Sequence, residues 1–185
     1  CKYIFIHAHC YSYMTPELIE KAKKDPQAFG QLYDILYPEV YKFIFFRVSR
    51  IEIAEDLLSA IWEKVLLNLH TFQSNHPTVF KVWIFRIARN TLYEQYRKSP
   101  KEDYVPLENF DIPDETSVDG DLKIEEQQKY LQQLLRHLPP LESEIICLRY
   151  FSDLKNKEIA NILNISEKMV AAYLSRALKN LRTYL

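Results

Sequence analysis

Apolar side chains recur at intervals of three and four residues along most of the chain, which is the spacing of amphipathic α-helices. The pattern predicts one helix after a Thr15 cap and a second after an Asp25 cap, with Pro26 in its first turn. It predicts six further helices, over residues 53–69, 78–98, 122–137, 141–151, 157–163 and 167–184. Pro38 falls inside the second helix and is expected to bend or restart it. The periodicity therefore favours an all-α fold.

Glycine usage supports the same fold class. The 185 residues include only two glycines, Gly30 and Gly120, whereas an average frequency of about 7% would give roughly 13. Two glycines so far apart cannot form a GxGxxG fingerprint or a phosphate-binding P-loop. Their scarcity also disfavours folds rich in tight β-turns.

Residues 100–121 interrupt the helical pattern. They contain eight acids, three prolines and a single base, Lys101, a composition typical of a linker. We therefore expect two small helical domains, an N-terminal helical bundle over 14–99 and a C-terminal helix-turn-helix domain over 122–185. The acidic linker between them is either a solvated spacer or a functional acidic segment.

The formal net charge of −1 conceals two basic segments. Residues 78–98 carry five bases against one acid, and residues 155–185 carry six bases against two acids, so each segment is at +4. Clustered positive charge of this kind indicates nucleic-acid binding.

Helix 78–98 places its basic and aromatic side chains opposite an apolar face. That apolar face consists of Ile84, Ile87, Ala88, Thr91 and Leu92. The opposite face consists of Arg86, Arg89, Asn90, Tyr93 and Arg97, with Trp83 on its flank. Arginine contacts phosphates, aromatic rings stack on bases, and asparagine can bind a base edge. The face predicts a nucleic-acid surface, and an ordinary exposed face that carries arginines is the alternative.

The last two helices, joined by a turn at residues 164–166, predict a helix-turn-helix. Asn164 tolerates a left-handed backbone and Ser166 can cap the following helix. The second helix buries Val170, Leu174, Ala177, Leu178 and Leu181 and directs Lys168, Ala172, Ser175, Arg176 and Lys179 outward. The outward face suits a DNA major groove. A packed helix pair without DNA binding is the alternative.

Helix 53–69 has a different outer face. Its core side consists of Ala54, Leu57, Leu58, Ile61 and Val65, and its far side combines Asp56, Ser59 and Glu63 with Leu66 and Leu67. Acids beside exposed leucines favour a protein partner over DNA. The alternative is that another helix of the same domain covers the leucines.

The first 13 residues contain four residues of the types that bind zinc, Cys1, His7, His9 and Cys10. Their spacing matches no common structural zinc site, so we predict no metal site. We interpret residues 1–13 as a leader whose native status the sequence leaves open. A chain that begins at Met14 is expected to fold and function like the full one.

Cysteine content and hydropathy bear on the compartment. The three cysteines form no CxxC pair and no disulfide framework, which fits a reducing environment. No stretch approaches the roughly 18 consecutive apolar residues of a membrane span, and the first residues do not have the pattern of a signal peptide. We expect a cytoplasmic protein that is not embedded in a membrane.

Five short motifs occur in an order that resembles the extracytoplasmic-function (ECF) group of bacterial RNA polymerase sigma factors, across roughly residues 14–185. The motifs are AEDL at 54–57, WIFRIARN at 83–90, LPPLESEIICLRYF at 138–151, EIANIL at 158–163 and LSRAL at 174–178. Each motif is weak alone, whereas their shared order and spacing are specific.

The resemblance implies a function for each part of the chain. The N-terminal domain would bind and help to melt the promoter −10 element, through Phe80, Trp83, Arg86, Arg89, Asn90, Tyr93 and Arg97. The loop at residues 74–80 would hold a flipped base. The C-terminal domain would bind the −35 element, through Lys168, Ala171, Ala172, Ser175, Arg176 and Lys179. Core polymerase would be bound through Asp56, Ser59 and Glu63, and the linker would pass through the polymerase and mimic nucleic acid.

Two positions depart from the pattern of that family. Ser59-Ala60 stands where the family usually has a Gln-Glu pair, and Ala171-Ala172-Tyr173 follows Val170 where a basic residue and serine are usual. Fewer hydrogen-bonding side chains therefore reach the groove, so −35 binding is expected to depend on Ser175, Arg176 and phosphate contacts.

The sequence thus predicts a sigma factor that directs promoter-specific transcription initiation. Catalysis would belong to the polymerase, so we expect no catalytic residues, cofactor or small-molecule substrate. The expected partners are core RNA polymerase, promoter DNA and an anti-sigma factor. The alternative is a stand-alone helix-turn-helix regulator, which would use only residues 122–185 and would leave the basic helix unexplained.

Overall fold

The computed structural model describes residues 14–48, 50–98 and 120–184, and within these residues it contains helices and no strands. The helices are α1 (Pro16–Ala22), α2 (Pro26–Phe45), α3 (Ile51–Asn68), α4 (Pro77–Lys98), α5 (Gly120–Arg136), α6 (Pro140–Ile146), α7 (Asn156–Leu163) and α8 (Glu167–Leu181). The all-α prediction is confirmed. The leader, with its zinc-binding residue types, and nearly all of the predicted linker lie outside the described residues.

The helix caps occur where the sequence predicts them. The Thr15 and Ser166 hydroxyls each accept a hydrogen bond, at 3.2 Å, from the backbone amide three residues further on. The Asp25 carboxylate accepts one at 2.9 Å from the amide two residues on. Asn164 has φ 56°, the left-handed conformation expected in the turn of the helix-turn-helix. Local polar chemistry thus determines where α1, α2 and α8 begin.

Helix α2 continues through Pro38, so a restart of the helix does not occur there. Proline removes one backbone hydrogen bond and disfavours a helix interior. The flanking residues Leu36 and Val40 are only 1% and 0% exposed. Their burial holds this segment in place despite the lost bond.

The N-terminal helices α1–α4 pack around an aromatic and aliphatic core. Helix α1 lies on α2, and α3 contacts both α2 and α4. Phe43 of α2 and Phe85 of α4 are fully buried and meet edge to face, with ring centroids 5.6 Å apart. The predicted core side of α3 is confirmed, because all five of its residues are buried.

In the C-terminal half, α8 packs against both α6 and α7, and α5 contacts α6. A π-helical turn, Cys147–Phe151, follows α6. Cys147 is fully enclosed, and burial raises the pKa of its thiol to about 12. The predicted core side of α8 is confirmed, with Val170 and Ala177 fully buried and the three leucines packed against the core.

The two halves contact each other directly. Helix α7 packs on α4, and the π-helical turn packs on α2. Phe46 stacks on Phe151 with ring centroids 4.3 Å apart, and Gln132 Nε2 donates a 2.7 Å hydrogen bond to the Phe45 carbonyl. One continuous hydrophobic cluster therefore includes residues of both halves. Among the described helices, none combines the length and the apolar character needed to cross a bilayer.

Candidate nucleic-acid interface

The side chains that the sequence assigns to DNA follow one side of α4. Ile84, Ala88 and Leu92 are fully buried on its inner side, which fixes the rotation of the helix. Asn90 and Arg97 consequently lie exposed on the outer side. The division of α4 into a core face and a polar face is confirmed.

Trp83 is half-buried at the start of this polar face and belongs to an aromatic cluster. Its ring centroid lies 5.0 Å from that of Phe72 and 5.6 Å from that of Phe80. Phe80 is 0% exposed, so in this conformation its ring is not accessible to a DNA strand, and its contact with DNA stays a prediction. Phe80 lies on the buried side of α4, where its ring packs against the Trp83 ring.

Lys81 does not contribute to the basic surface either. Its side chain is almost completely buried, and Lys81 Nζ lies 2.6 Å from Glu39 Oε2. Burial raises the pKa of Glu39, even though the neighbouring Lys81 charge lowers it. Lys81 is one of the five bases counted in segment 78–98, and it forms a buried ion pair within the fold and is not part of the exposed basic surface.

The loop before α4 is held by its own polar groups. The His76 amide donates to Ser74 Oγ at 3.2 Å, and the Thr78 amide donates to His76 Nδ1 at 3.2 Å. Both bonds are local and exposed. They shape the entrance to α4 while leaving His76 at the surface.

Three predicted DNA contacts of α4 bind the C-terminal half of the same chain. Arg89 Nε donates to Glu144 Oε1 at 3.1 Å, and the Tyr93 hydroxyl donates to Glu144 Oε2 at 3.0 Å. Arg86 Nη2 donates to the carbonyl and the side-chain oxygen of Asn161, at 2.8 and 2.7 Å. The described structure thus brings the basic face of α4 against α6 and α7.

Glu144 is the centre of this contact and is 0% exposed. Arg47 Nη1 lies 3.6 Å from Glu144 Oε1. Burial alone would lower the pKa of the Arg47 guanidinium, but Tyr96, Glu144 and other facing groups raise it above its ordinary value. The Tyr96 hydroxyl donates to the Arg47 carbonyl at 3.0 Å, and burial raises the pKa of that phenol. Two guanidinium groups therefore offset the cost of burying the Glu144 charge. One belongs to Arg89 of α4 and the other to Arg47, just after the end of α2.

Sequence reasoning missed Glu144, Arg47 and Asn161 as functional candidates. A signal for Glu144 was available, because it directly precedes the apolar pair Ile145-Ile146 in the helix predicted over 141–151. A carboxylate in such a place needs a cationic partner. The sequence does not reveal which cation, since the partners are 55 and 97 residues away.

On α8, the predicted −35 residues Lys168, Ala171, Ala172, Ser175 and Lys179 are exposed. They occupy the outer face of the second helix of the helix-turn-helix. Their positions on that face follow from the burial of Val170 and Ala177 on the opposite one.

Arg176 lies on the same outer face and also joins α8 to α6 through an ion pair. Its Nε forms a close ion pair with Oε1 of Glu142, a residue of α6 that is 1% exposed. Asn180 Nδ2 donates to the other oxygen of Glu142 at 3.2 Å. The Arg176 guanidinium also lies 4.9 Å from the centre of the Tyr173 ring. A change at Arg176 therefore affects the packing of α8 on α6 as well as the outer face.

The predicted polymerase surface on α3 is exposed. Asp56, Ser59 and Glu63 lie on its outer side. Leu66 and Leu67 are 55% and 63% exposed, so the alternative that another helix covers them is wrong. A groove of about 320 Å³ runs between α3 and α4, and Asp56 lies in its wall.

Comparisons with known proteins match both halves of the chain. A model of sigma-70 region 2 matches residues 32–101, and a model of sigma-70 region 4 matches residues 128–181. The ECF RNA polymerase sigma factor SigM of Bacillus subtilis is 28% identical over 152 residues, which are 82% of this chain and 91% of SigM. SigW of the same organism is 27% identical over 183 residues, covering 93% of this chain and 97% of SigW.

Two solved structures share the fold. CnrH, in complex with the cytosolic domain of CnrY, matches with a TM-score of 0.72 at 20% identity, over 92% of this chain and 96% of CnrH. The sigma factor RpoE of Bartonella quintana, in complex with the anti-sigma factor NepR, matches with a TM-score of 0.65 at 25% identity. That match covers 84% of this chain and 94% of RpoE.

Two helical regions of the sigma-70 type in this order define an RNA polymerase sigma factor. The chain belongs to the ECF group of these proteins, which direct transcription initiation.

Proposed function

We propose that the outer face of α4 holds the unstacked strand of a melted −10 element. Trp83, Arg86, Arg89, Asn90 and Tyr93 follow one side of a helix whose other side is buried in the core. This arrangement is the observation that supports the proposal most. Stacking on an aromatic ring is worth about 1–3 kcal/mol per base, and the two arginines can neutralise the phosphates of the same strand. Arg97, one turn beyond Tyr93, extends the positive charge along the strand.

In this proposal Asn90 contributes sequence recognition. It is exposed between the two arginine positions and Tyr93. An asparagine amide offers both a hydrogen-bond donor and an acceptor to a base edge. An arginine side chain offers donors only. Melting is then favoured because the separated strand gains contacts that the duplex lacks.

The outer face of α8 binds the −35 duplex. Lys168 and Lys179 contact phosphates and position the helix in the major groove. Ser175 can hydrogen-bond to a base or a phosphate, while Ala171 and Ala172 can contact only apolar groups such as the thymine methyl. Arg176 adds a charge to this face while it remains paired with Glu142.

Core RNA polymerase binds α3 through Asp56, Ser59 and Glu63, with Leu66 and Leu67 as apolar contacts beside them. A patch with exposed leucines flanked by carboxylates suits a protein surface that carries both apolar and basic groups. The acidic segment 100–121 connects the two DNA-binding regions and passes through the polymerase. An anti-sigma factor is a further partner, since CnrH and RpoE were each solved with a binding protein.

The chain itself catalyses no reaction, because RNA synthesis is carried out by the polymerase that it directs. It acts in the cytoplasm, where polymerase and promoter DNA meet. A stand-alone regulator remains the competing function, and it would leave the polar face of α4 and the exposed leucines of α3 without a use.

Reconstituted transcription tests the proposal. Core polymerase is incubated with the full chain and a library of genomic fragments, and the 5′ ends of the transcripts are sequenced. We expect initiation at a small set of sites that share −10 and −35 elements, and no such sites with core polymerase alone. A chain that binds duplex DNA without polymerase, and adds no initiation sites to core, would instead be a stand-alone regulator.

A further inference from the structure

Met169 of α8 is an exposed apolar side chain that the packing of the fold does not explain. Methionine is among the residue types that are most often fully buried, yet Met169 is 43% exposed. The next residue, Val170, is 0% exposed and fixes the rotation of the helix. Ala171 and Ala172 are exposed as well. The start of α8 therefore presents three apolar side chains to the surroundings.

The place of Met169 in the helix-turn-helix gives this exposure a meaning. Met169 is the third residue of α8, and its backbone amide donates a 3.2 Å hydrogen bond to the capping Ser166 hydroxyl. In a helix-turn-helix, the first residues of the second helix are the ones that reach base edges in the major groove. Ala172 follows Met169 by three residues, which places it on the same side of the helix one turn further along. Both side chains consequently lie where base edges are expected.

The charges beside the apolar side chains indicate that DNA covers them. Lys168 and Lys179 are exposed on α8. Arg176 is held between the Glu142 carboxylate and the Tyr173 ring, with its guanidinium carbon 4.9 Å from the ring centre. Positive groups around an apolar patch are complementary to a groove whose two edges are rows of phosphates.

The chemistry of the bases limits what such a patch can select. Thymine is the base with an apolar group, the C5 methyl, on its major-groove edge, and apolar side chains contact that methyl. The thioether of methionine is flexible and polarizable, so it adapts its shape to a group of this size. Among the predicted −35 contacts, Ser175 is the uncharged side chain that can hydrogen-bond, and serine discriminates poorly between bases.

We infer that Met169 is a specificity-determining residue for the −35 element and that, together with Ala172, it selects thymine through the thymine methyl group. The inference rests on the proposed function, in which the outer face of α8 binds the −35 duplex. Lys168 and Lys179 then supply affinity that does not depend on the base sequence. The −35 element contains thymine at the base pairs that face the first turn of α8.

Replacing thymine with uracil tests the methyl group alone, because uracil keeps the hydrogen-bonding groups of thymine and lacks only the methyl. Core polymerase with the full chain first selects its preferred −35 sequence from a promoter library randomised at that element. The selected promoter is then titrated at one salt concentration, with thymine or with uracil in the −35 element. Uracil should weaken binding about fourfold for each contacted methyl group. Uracil in the spacer between the two elements should have no effect.

Variants of α8 assign the methyl contact to Met169. Met169→Ala should bind the thymine promoter more weakly than the wild type and should lose most of the difference between thymine and uracil. Met169→Leu keeps an apolar side chain of similar size and should retain that difference. Lys179→Ala is the matched control on the same helix, and it should weaken binding to both promoters by the same factor, since a phosphate contact does not depend on the base. Such non-additivity between a protein change and a base change identifies groups in contact.

Three results would overturn the inference. The first is an equal effect of uracil on Met169→Ala and on the wild type, and the second is a selected −35 element without thymine. The third is a loss of binding between Met169→Ala and core polymerase in the absence of DNA, which would place Met169 at a protein interface.

A scrambled −35 element separates this inference from the proposed function. If neither the scrambled element nor Lys179→Ala weakened promoter binding, α8 would not bind the −35 duplex and the proposed function would fail. If both weakened it while uracil had no effect, only the contact of Met169 with thymine would be rejected. Circular dichroism verifies that α8 is folded in each variant, as expected because Met169 and Lys179 are exposed.

Discussion

Arg89 of α4 and Glu144 of α6 are 55 residues apart in the chain, yet Arg89 Nε lies 3.1 Å from Glu144 Oε1. The pair connects the surface proposed for the −10 element with the domain proposed for the −35 element. Because Glu144 is fully buried, replacing Arg89 removes a proposed DNA contact and also weakens the packing of the two halves. Experiments on the −10 surface should therefore use residues that do not bind Glu144.

The polymerase surface is tested by charge reversal. Asp56→Arg is expected to weaken binding to core RNA polymerase by about tenfold or more, since a basic patch facing Asp56 would meet a like charge. Titration of labelled chain with core polymerase measures the effect. Asp56 is exposed on α3, so the circular dichroism spectrum should not change.

Glu20→Arg is the control for Asp56→Arg. Glu20 is an exposed acid on α1 whose ion pair with Lys23 is local. Its reversal changes the net charge by the same amount at a different place. If both variants bound core polymerase as tightly as the wild type, α3 would not be the polymerase surface.

Arg176→Ala is expected to lower the stability of the C-terminal half, in addition to any loss of DNA affinity. The change leaves the buried Glu142 carboxylate with Asn180 as its remaining hydrogen-bond partner among those described. Removal of one partner from a buried polar group costs about 1–3 kcal/mol. Urea unfolding should show a lower midpoint, and Glu142→Gln combined with Arg176→Ala should recover part of the loss. Additive losses in the double variant would show that the pair is not coupled.

Lys168 is the better probe of the −35 surface, because it is exposed and lies on the outer face of α8. Lys168→Ala should weaken promoter binding similarly for different −35 sequences. It should also reduce the slope of log affinity against log salt by about one unit, as expected for one lost phosphate contact. An unchanged salt slope in a filter-binding or anisotropy titration would place Lys168 away from the DNA.

Much of the fold could be predicted from the sequence, because it depends on local features such as helix caps and apolar periodicity. The Thr15, Asp25 and Ser166 caps and the apolar stripe of α3 determine where helices start and which side is buried. These features follow from hydrogen bonding and periodicity over a few residues. The helix restart considered at Pro38 does not occur, since long-range burial of its neighbours outweighs one lost hydrogen bond.

The candidate site could be predicted from the sequence only in part. Helical periodicity placed Arg86, Arg89, Asn90 and Tyr93 together, but it could not show that three of them face Glu144 and Asn161. Such pairs join residues 51 to 75 positions apart, and they depend on how the two halves pack. The burial of Phe80 and Lys81 has the same origin, because the rotation of α4 is set by its neighbours.

The start of α2 gives a prediction for pH dependence. A hydrogen bond from the Gln27 amide holds the pKa of the Asp25 carboxyl below its ordinary value. The stabilisation is therefore present above the ordinary carboxyl pKa of about 3.9 and is lost as the pH falls through the lowered value. Asp25→Asn keeps a capping side chain that does not titrate. The difference in urea midpoint between wild type and Asp25→Asn should depend on pH below about 4 and be constant at neutral pH. A constant difference over the whole range would contradict the cap.

The central claim, that α4 holds a melted −10 strand, is tested most directly with Asn90→Ala on two forms of one promoter identified by reconstituted transcription. One template is fully duplex and the other is already unpaired over the −10 element, and Gln31→Ala, an exposed change on α2, is the control. Open-complex formation is measured by abortive transcript synthesis. The account predicts a large defect for Asn90→Ala on the duplex template and a smaller one on the unpaired template, with Gln31→Ala equal to the wild type. Wild-type rates for Asn90→Ala on both templates would contradict it.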